Sequence, residues 1–322
     1  MAKIKILHGN VFNKVKELND NSINCVVTSP PYWGLRDYNV SGQLGLESTY
    51  QEHIQNIVNL FKEIKPKLKD SATIWLNYGD SYAATVNGTK VKNMKKNGVG
   101  RKGDDRAFVD KPFSTIQGSL KPKDLVMIPN RIAIALQDDG WWIRSEIIWH
   151  KPNPMPESVR DRPTNCHEKI WLITKSKKYY YDADAIREPT TEATKKRMES
   201  GWNGNQKRNY ASGEEQNHLS NYFGSDKAKE NALKGRNKRN VWTITTKPFK
   251  DAHFATFPKD LIEPCIKAGC PEGGIVLDPF GGSGTTGIVA ALNNRKSILI
   301  ELNKDYIDIA NKRIEKEVGL FI

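Results

Sequence analysis

The stretch Val276-Leu277-Asp278-Pro279-Phe280-Gly281-Gly282-Ser283-Gly284-Thr285-Thr286 decides the fold. It reads as an apolar strand ending on an acid, a glycine-rich turn, and the opening of a helix. Glycines in such a turn let the backbone bend sharply and let a ligand come close to it. Glu301 closes the next apolar run, Ser297–Ile300, 23 residues after Asp278. An acid there is placed to accept hydrogen bonds from both ribose hydroxyls of a nucleoside. The turn carries no P-loop lysine and lacks the usual dinucleotide fingerprint, which disfavours a nucleoside triphosphate or a dinucleotide as its ligand. The bland alternative is a turn that only closes a strand–helix unit. For a glycine turn alone the two readings are about equal, and the two flanking acids weigh against the bland one.

The rest of the chain has the same strand–helix rhythm. Ile4–Leu7, Ile23–Val27 and Ala72–Leu76 read as buried strands, and Tyr50–Leu68 has helical spacing through Ile54, Ile57, Val58, Phe61 and Ile64. A helix is expected near Asp124–Gln137, then strands near Trp141–Trp149 and Lys169–Thr174. After Val241 come a helix near Pro258–Lys267, a strand Ile275–Leu277, a helix after Gly284, a strand Ser297–Ile300 and a helix from Asp305. Such alternation implies an α/β domain with a mostly parallel sheet covered by helices. Val86–Lys111, rich in Gly, Asn and Lys, reads as a surface loop.

A second motif follows the strand at Ile23–Val27: Thr28-Ser29-Pro30-Pro31-Tyr32-Trp33. Two consecutive prolines fix φ, and the first pushes Ser29 into an extended conformation. The Ser29 hydroxyl and the Pro30 carbonyl are thereby held in set directions. That suits an aromatic amine, a weak nucleophile whose lone pair is delocalised into its ring. Two acceptors on its hydrogens would redirect the lone pair, and preorganised positioning of this kind supplies much of a rate enhancement. Tyr32 is placed to stack on a base extruded from a duplex. For Pro-Pro alone, a strand-ending turn with Tyr32 and Trp33 as core packing is the better reading. The whole motif, on one chain with the glycine-rich loop, reverses that preference.

Charge narrows the ligand class. The chain of 322 residues has 50 basic against 37 acidic residues, a net of +13, which favours a polyanion such as nucleic acid. Between Lys195 and Lys250 lie thirteen Lys/Arg and five Asp/Glu, a net of +8, so this stretch holds over half of the excess. Trp202, Tyr210, Tyr222 and Phe223 are interleaved with it. Lys195, Lys196, Arg197, Lys207, Arg208, Arg236, Lys238 and Arg239 are the candidate nucleic-acid contacts. A hydrophobic fraction of 38% with eight Trp permits a well-buried core. No run approaches 18 apolar residues, which excludes a transmembrane helix, and the N-terminus lacks the apolar stretch of a signal peptide. Four cysteines without paired spacing point to a reducing compartment, the cytoplasm, and to no structural zinc.

Ser29-Pro30-Pro31-Tyr32 and Asp278-Pro279-Phe280-x-Gly282-Ser283-Gly284-Thr285-Thr286 together resemble the motifs of the β group of DNA amino-methyltransferases, and the match spans nearly the full length. In that group the catalytic half precedes the target-recognition region, and the cofactor loop lies near the C-terminus. The resemblance implies a Rossmann-like S-adenosylmethionine-dependent methyltransferase fold with a seven-strand, circularly permuted sheet. Residues 1–186 and 251–322 would form the catalytic domain and 187–250 the target-recognition region. Ser29, Pro30, Pro31 and Tyr32 would carry catalysis. Asn10, Thr28, Thr256, Phe257, Asp278, Phe280, Gly282, Gly284, Thr285 and Glu301 would bind S-adenosyl-L-methionine, Asp278 facing the methionine ammonium. Asn10 stands where the group often has Asp, which weakens its expected contact with the adenine. Trp75–Ser81 matches the segment lining the base pocket, and His253–Pro258 the one flanking the methionine moiety. Serine at position 29 is typical of N4-cytosine enzymes, Asp or Asn of N6-adenine enzymes.

The implied reaction is methyl transfer to cytosine N4 in double-stranded DNA by base flipping, with adenine N6 as the alternative. The implied partner besides DNA is a cognate restriction endonuclease. A non-catalytic nucleic-acid-binding protein on the same fold is disfavoured because both loops are intact. RNA or protein-glutamine methylation is weaker still, since the latter usually shows Asn-Pro-Pro-Tyr and lacks this basic insertion. Cys265, in a Pro-Cys dipeptide like that of cytosine C5-methyltransferases, lies on a helix away from the Ser29 loop and reads as packing. Cys166-His167 lacks the paired spacing of a zinc site, His150 and His167 read as ordinary polar residues near the pocket, and Lys90–Lys102 reads equally as a solvated face or a phosphate-contacting segment.

Overall fold

The computed structural model describes residues 3–85, 112–193, 195–196, 226, 230, 233–246 and 257–319. The chain divides into two compact units, one of residues 1–181 with 240–322 and one of 182–239. The loop expected at 86–111 lies outside the described residues.

The larger unit is built on an eight-stranded sheet in the order β1-β8-β7-β2-β3-β5-β4-β6. The strands are β1 Ile4–His8, β2 Ile23–Thr28, β3 Leu68–Tyr78, β4 Trp142–His150, β5 His167–Thr174, β6 Val241–Thr243, β7 Ile275–Asp278 and β8 Lys296–Glu301. β5 runs antiparallel to both β3 and β4, and every other pairing is parallel. All six residues of β2 are buried, as a central parallel strand covered on both faces requires. The expected class is thus observed, with eight strands in place of seven. The additional strand, β6, has three residues, too few for a periodic signal, and lies inside the 187–250 stretch that sequence assigned to recognition. It pairs with β4 at the sheet edge, and the compact smaller unit ends before it, at Arg239.

The helices of the larger unit that matter for the site are α1 Val11–Lys16, α2 Tyr50–Ile64, α3 Ile128–Asp138, α4 Lys259–Gly269, α5 Thr285–Leu292 and α6 Lys304–Val318. α2 is capped by Thr49, whose side chain accepts from the Glu52 N–H, and it buries Ile57, Leu60, Phe61 and Ile64. It stops at Ile64, short of the expected Leu68, where Pro66 tightens the chain into a 3-10 turn. α3 starts at Ile128, later than the expected Asp124, after Met127 at φ 63°. The main core packs α2 and α3 against one sheet face through Phe61, Ile64, Ile74, Leu76, Tyr78, Ile132 and Leu136.

The permuted connection places β7 beside β2, with Val26 opposite Leu277. β8 pairs with β7 and β1, with Glu301 opposite His8. Ser29, Asp278, Glu301 and Asn10 therefore follow or end neighbouring parallel strands at one rim of the sheet. Carboxyl ends of parallel strands are where open α/β sheets bind ligands.

Candidate active site

The rim is joined first by Thr28. This buried residue ends β2 and donates its hydroxyl to Asp278 Oδ1 at 2.8 Å, across 250 residues of sequence. The adjacent Ser29 hydroxyl donates to the Tyr32 hydroxyl at 3.4 Å, and Tyr32 donates to Glu168 Oε2 at 2.7 Å. Asn77 Nδ2 lies 2.9 Å from Glu168 Oε2, 3.1 Å from Tyr32 Oη and 3.4 Å from Ser29 Oγ. Lys151 pairs with Glu168 Oε1. The Asn77 amide nitrogen faces a carboxylate, which fixes the side-chain orientation. Its Oδ1 is buried with no hydrogen-bond partner among the described residues.

The Tyr32 ring stacks on Tyr78, centroids 4.4 Å apart and planes at 25°. The Tyr78 hydroxyl accepts from the Trp33 N–H at 2.8 Å and lies 2.8 Å from His53 Nε2, while His53 Nδ1 lies 2.8 Å from Glu47 Oε2. This buried Glu47–His53–Tyr78 chain underpins the proline turn. Burial raises the Tyr32 phenol well above its ordinary range, with the Glu168 charge adding to it, so Tyr32 is a neutral donor. Gly79 makes the arrangement possible. A Cβ there would sit 2.8 Å from Tyr32 Cε2 and 3.1 Å from Glu168 Cδ, so a larger residue would displace one of them.

On the other side of Thr28, Asp278 is 1% exposed. Its Oδ1 also accepts from the Phe280 N–H at 3.0 Å, and its Oδ2 accepts from Thr286 at 2.6 Å. Burial pushes its carboxyl up to about 6. The acid expected to face an ammonium thus also stitches the glycine turn to the catalytic loop. Glu301 Oε2 accepts from Gly282 N at 2.8 Å and Oε1 from Asn303 N at 2.7 Å. Each carboxylate oxygen accepts more than one bond, so Glu301 retains capacity for ribose hydroxyls.

Gly282 and Gly284 adopt φ of 49° and 83°, the left-handed region that penalises a side chain. The nearest atom to a Cβ on Gly282 would be the Phe280 carbonyl oxygen at 3.9 Å, so the backbone there is open to approach. Thr285 begins α5. Arg313, which sequence reasoning missed, donates through Nη1 to the Ser283 carbonyl and hydroxyl, 2.8 Å each, and to Thr285 Oγ1 at 3.0 Å. Its signal, one of several cations on an amphipathic helix, is indistinguishable from a solvated face. Asn10 caps α1 by accepting from the Phe12 N–H, and its Nδ2 donates to the Gly42 carbonyl. Phe257 and Phe280 are half-buried, and Thr256 lies outside the described residues.

Taken by itself, the smaller unit ties its two ends together. Glu188 and Arg236 exchange backbone hydrogen bonds of 2.9 and 2.8 Å, and the Glu188 carboxylate pairs with Arg236 at 3.1 Å and Arg239 at 3.4 Å. Lys195 pairs with Glu192, Lys196 is exposed and Lys238 half-exposed. Arg197, Lys207 and Arg208 lie outside the described residues. Cys265 is buried in α4 and donates to the Leu261 carbonyl. No helix among the described residues is long and apolar enough to cross a membrane.

Comparison with known proteins reads this geometry. A DNA methylase model, N6_N4_Mtase, matches residues 23–312. The chain is 43% identical over 312 residues to the type II methyltransferase M.Cfr9I of Citrobacter freundii, spanning 97% of this chain and 88% of that one. It is 42% identical over 314 residues to M.SmaI of Serratia marcescens, spanning 98% and 91%. Among solved structures, the cytosine-N4-specific PvuII DNA methyltransferase superposes with a TM-score of 0.62 at 18% identity, over 100% of this chain and 92% of that one. The M1.HpyAVI–SAM complex gives 0.53 at 18% identity, over 97% and 98%. An open glycine turn between two acids, joined by Thr28 to a Ser-Pro-Pro-Tyr loop, fits S-adenosyl-L-methionine beside a base. The chain belongs to the N6/N4 DNA methylase family and is a DNA methyltransferase with S-adenosyl-L-methionine as its methyl donor.

Proposed function

We propose that this enzyme methylates the exocyclic N4 amino group of cytosine at a specific site in duplex DNA. The observation that carries the reading is the acceptor set at the rim: Ser29 Oγ within 3.4 Å of Asn77 Nδ2, and the unpartnered Asn77 Oδ1 on the same amide. A buried acceptor left without a donor is costly. The amino group is the hydrogen-bond donor common to the base edges of cytosine and adenine. Serine at position 29 and the cytosine-N4 specificity of the PvuII enzyme favour cytosine.

S-adenosyl-L-methionine supplies an electrophilic methyl group. Glu301 would take its ribose hydroxyls and the Gly282–Gly284 turn its backbone side, with Asn10, Thr28, Thr256, Phe257, Asp278, Phe280 and Thr285 completing the surround. Tyr78 covers one face of Tyr32, which leaves the opposite face for an extruded base. Ser29 and the Pro30 carbonyl, with Pro31 locking the turn, hold the amino hydrogens so that the nitrogen lone pair points at the methyl group. Transfer is direct: burial keeps the Cys25 and Cys270 thiols protonated, the latter pushed up to about 12, and Cys265 is packed inside α4. The basic 182–239 unit and its flank read the DNA, through Lys195, Lys196, Arg197, Lys207, Arg208, Arg236, Lys238 and Arg239. The enzyme protects its site from a restriction endonuclease of the same cell.

The test is methylation of duplex DNA with labelled cofactor followed by nucleoside analysis. N4-methylcytosine is the expected product. N6-methyladenine alone would replace the cytosine assignment, and 5-methylcytosine would overturn direct amino transfer.

A further inference from the structure

The amino nitrogen that accepts a methyl group must shed a proton, and the hydroxyl of Ser29 does not end where the base would sit. It donates to Tyr32, and Tyr32 donates at 2.7 Å to a carboxylate that no sequence motif singled out. The two donations run in one direction, from Ser29 to Glu168. We propose that Glu168 is the terminal proton acceptor of the reaction, reached through the hydroxyls of Ser29 and Tyr32; this rests on the amino-methylation reading.

The nitrogen lone pair forms the N–C bond while the S–C bond breaks with its electron pair left on sulfur. One amino proton passes to Ser29 Oγ, the Ser29 proton to Tyr32 Oη, and the Tyr32 proton to Glu168. The base leaves neutral, both hydroxyls are regenerated, and Glu168 is left as the neutral acid, to be discharged to solvent. A nitrogen that has just gained a methyl group is a strong acid, so a carboxylate is a sufficient acceptor. The 3.4 Å Ser29–Tyr32 link is long for an O–H···O bond, and such contacts tighten when substrate is bound.

The groups facing Glu168 are built for this. Tyr32 reaches it from the catalytic loop, Asn77 from β3 and Lys151 from the end of β4. Lys151, which also lies 4.4 Å over the Trp149 ring, holds the carboxylate in place by its ion pair. The other titratable groups on these strands have partners of their own: Lys169 pairs with Glu146 at 2.6 Å and bonds Asn130, and His150 bonds Thr243. Glu168 does not touch the base, so it is a relay residue acting through Tyr32. Tyr32 thereby has a second duty beside stacking, one that phenylalanine could not perform.

The experiment compares the parent, Glu168→Gln, Tyr32→Phe and the double variant in single-turnover methylation from about pH 5.5 to 9, with cofactor and DNA affinities measured in parallel. Each single variant should transfer methyl about 10²–10⁴-fold more slowly, the range of a general base, with affinities kept within about threefold. The double variant should be no slower than the worse single one, because both break one chain. The parent's solvent deuterium isotope effect should disappear in the variants. In the protein without cofactor, Glu168→Gln should lower the pH at which Tyr32 ionises, read as tyrosinate absorbance against Tyr32→Phe. Additive losses, or a Glu168→Gln variant within about threefold of the parent with its isotope effect intact, would overturn the relay. A parent that forms no N4-methylcytosine or N6-methyladenine would instead overturn the amino-methylation reading, while the tyrosinate shift would still report the contact.

Discussion

Asp278→Asn tests whether this acid acts through its charge or through its hydrogen bonds. In the folded protein burial pushes the carboxyl from its ordinary 3.8 up to about 6, against the opposing pull of Thr286, Thr28 and the Phe280 N–H. A carboxyl whose folded pKa lies above its unfolded value binds its proton more tightly when folded. The associated stability is fully present below 3.8 and is lost as pH rises through about 6. At about 1.36 kcal/mol per unit the loss is about 3 kcal/mol. Asparagine keeps an acceptor for Thr28 and Phe280, and its Nδ2 can donate to Thr286 once that hydroxyl turns, so the local geometry survives. Asp278→Asn should therefore be more stable than the parent by up to about 3 kcal/mol at pH 8, with the difference closing as pH falls toward 4. Urea denaturation of both proteins at pH 4.5, 6 and 8 measures it. Calorimetry on the same samples separates the two roles: affinity for S-adenosyl-L-methionine should stay within about threefold. A variant no more stable than the parent at pH 8 refutes the burial argument. A tenfold loss of affinity would show that the charge itself meets the methionine ammonium.

Three other perturbations address the remaining parts of the rim and the smaller unit. Glu301→Ala removes the acid at the end of β8 and should weaken cofactor binding by about 1.5–3 kcal/mol, the range for hydrogen bonds to a charged group; unchanged calorimetric affinity would remove Glu301 from the site. Gly79→Ala places a methyl 2.8 Å from the Tyr32 ring, so turnover should fall while the cost in stability stays near 1–3 kcal/mol, about that of overpacking. Parent-like turnover would show that Tyr32 need not hold this position. Replacing Arg236, Lys238 and Arg239 by Gln should reduce DNA affinity and flatten its salt dependence by about one unit of slope for each phosphate no longer neutralised. An unaltered slope would place DNA binding elsewhere.

What the sequence determined by itself was whatever is written locally. The glycine turn with its flanking acids, the Pro-Pro turn with its serine, and the strand–helix rhythm each occupy a short window. Their chemistry follows from backbone sterics and side-chain type. The family resemblance supplied the permuted order, and the expected elements recur with their ends moved by a few residues, as at α2, where Pro66 intervenes, and α3. Tertiary structure alone decided what joins those windows. No periodicity could show that Thr28 reaches Asp278 across 250 residues, or that this pairing uses lone pairs expected to face a ligand. Nor could it show that Glu168, 136 residues from Tyr32, receives the tyrosine hydroxyl while Asn77 and Lys151 hold it. Glu168 sits in an antiparallel strand whose pattern marks it only as a polar end, and Arg313 reads as one charge among many on a helix. Such residues acquire meaning from partners brought near by sheet order, and sheet order is a long-range property that a local window of sequence does not encode.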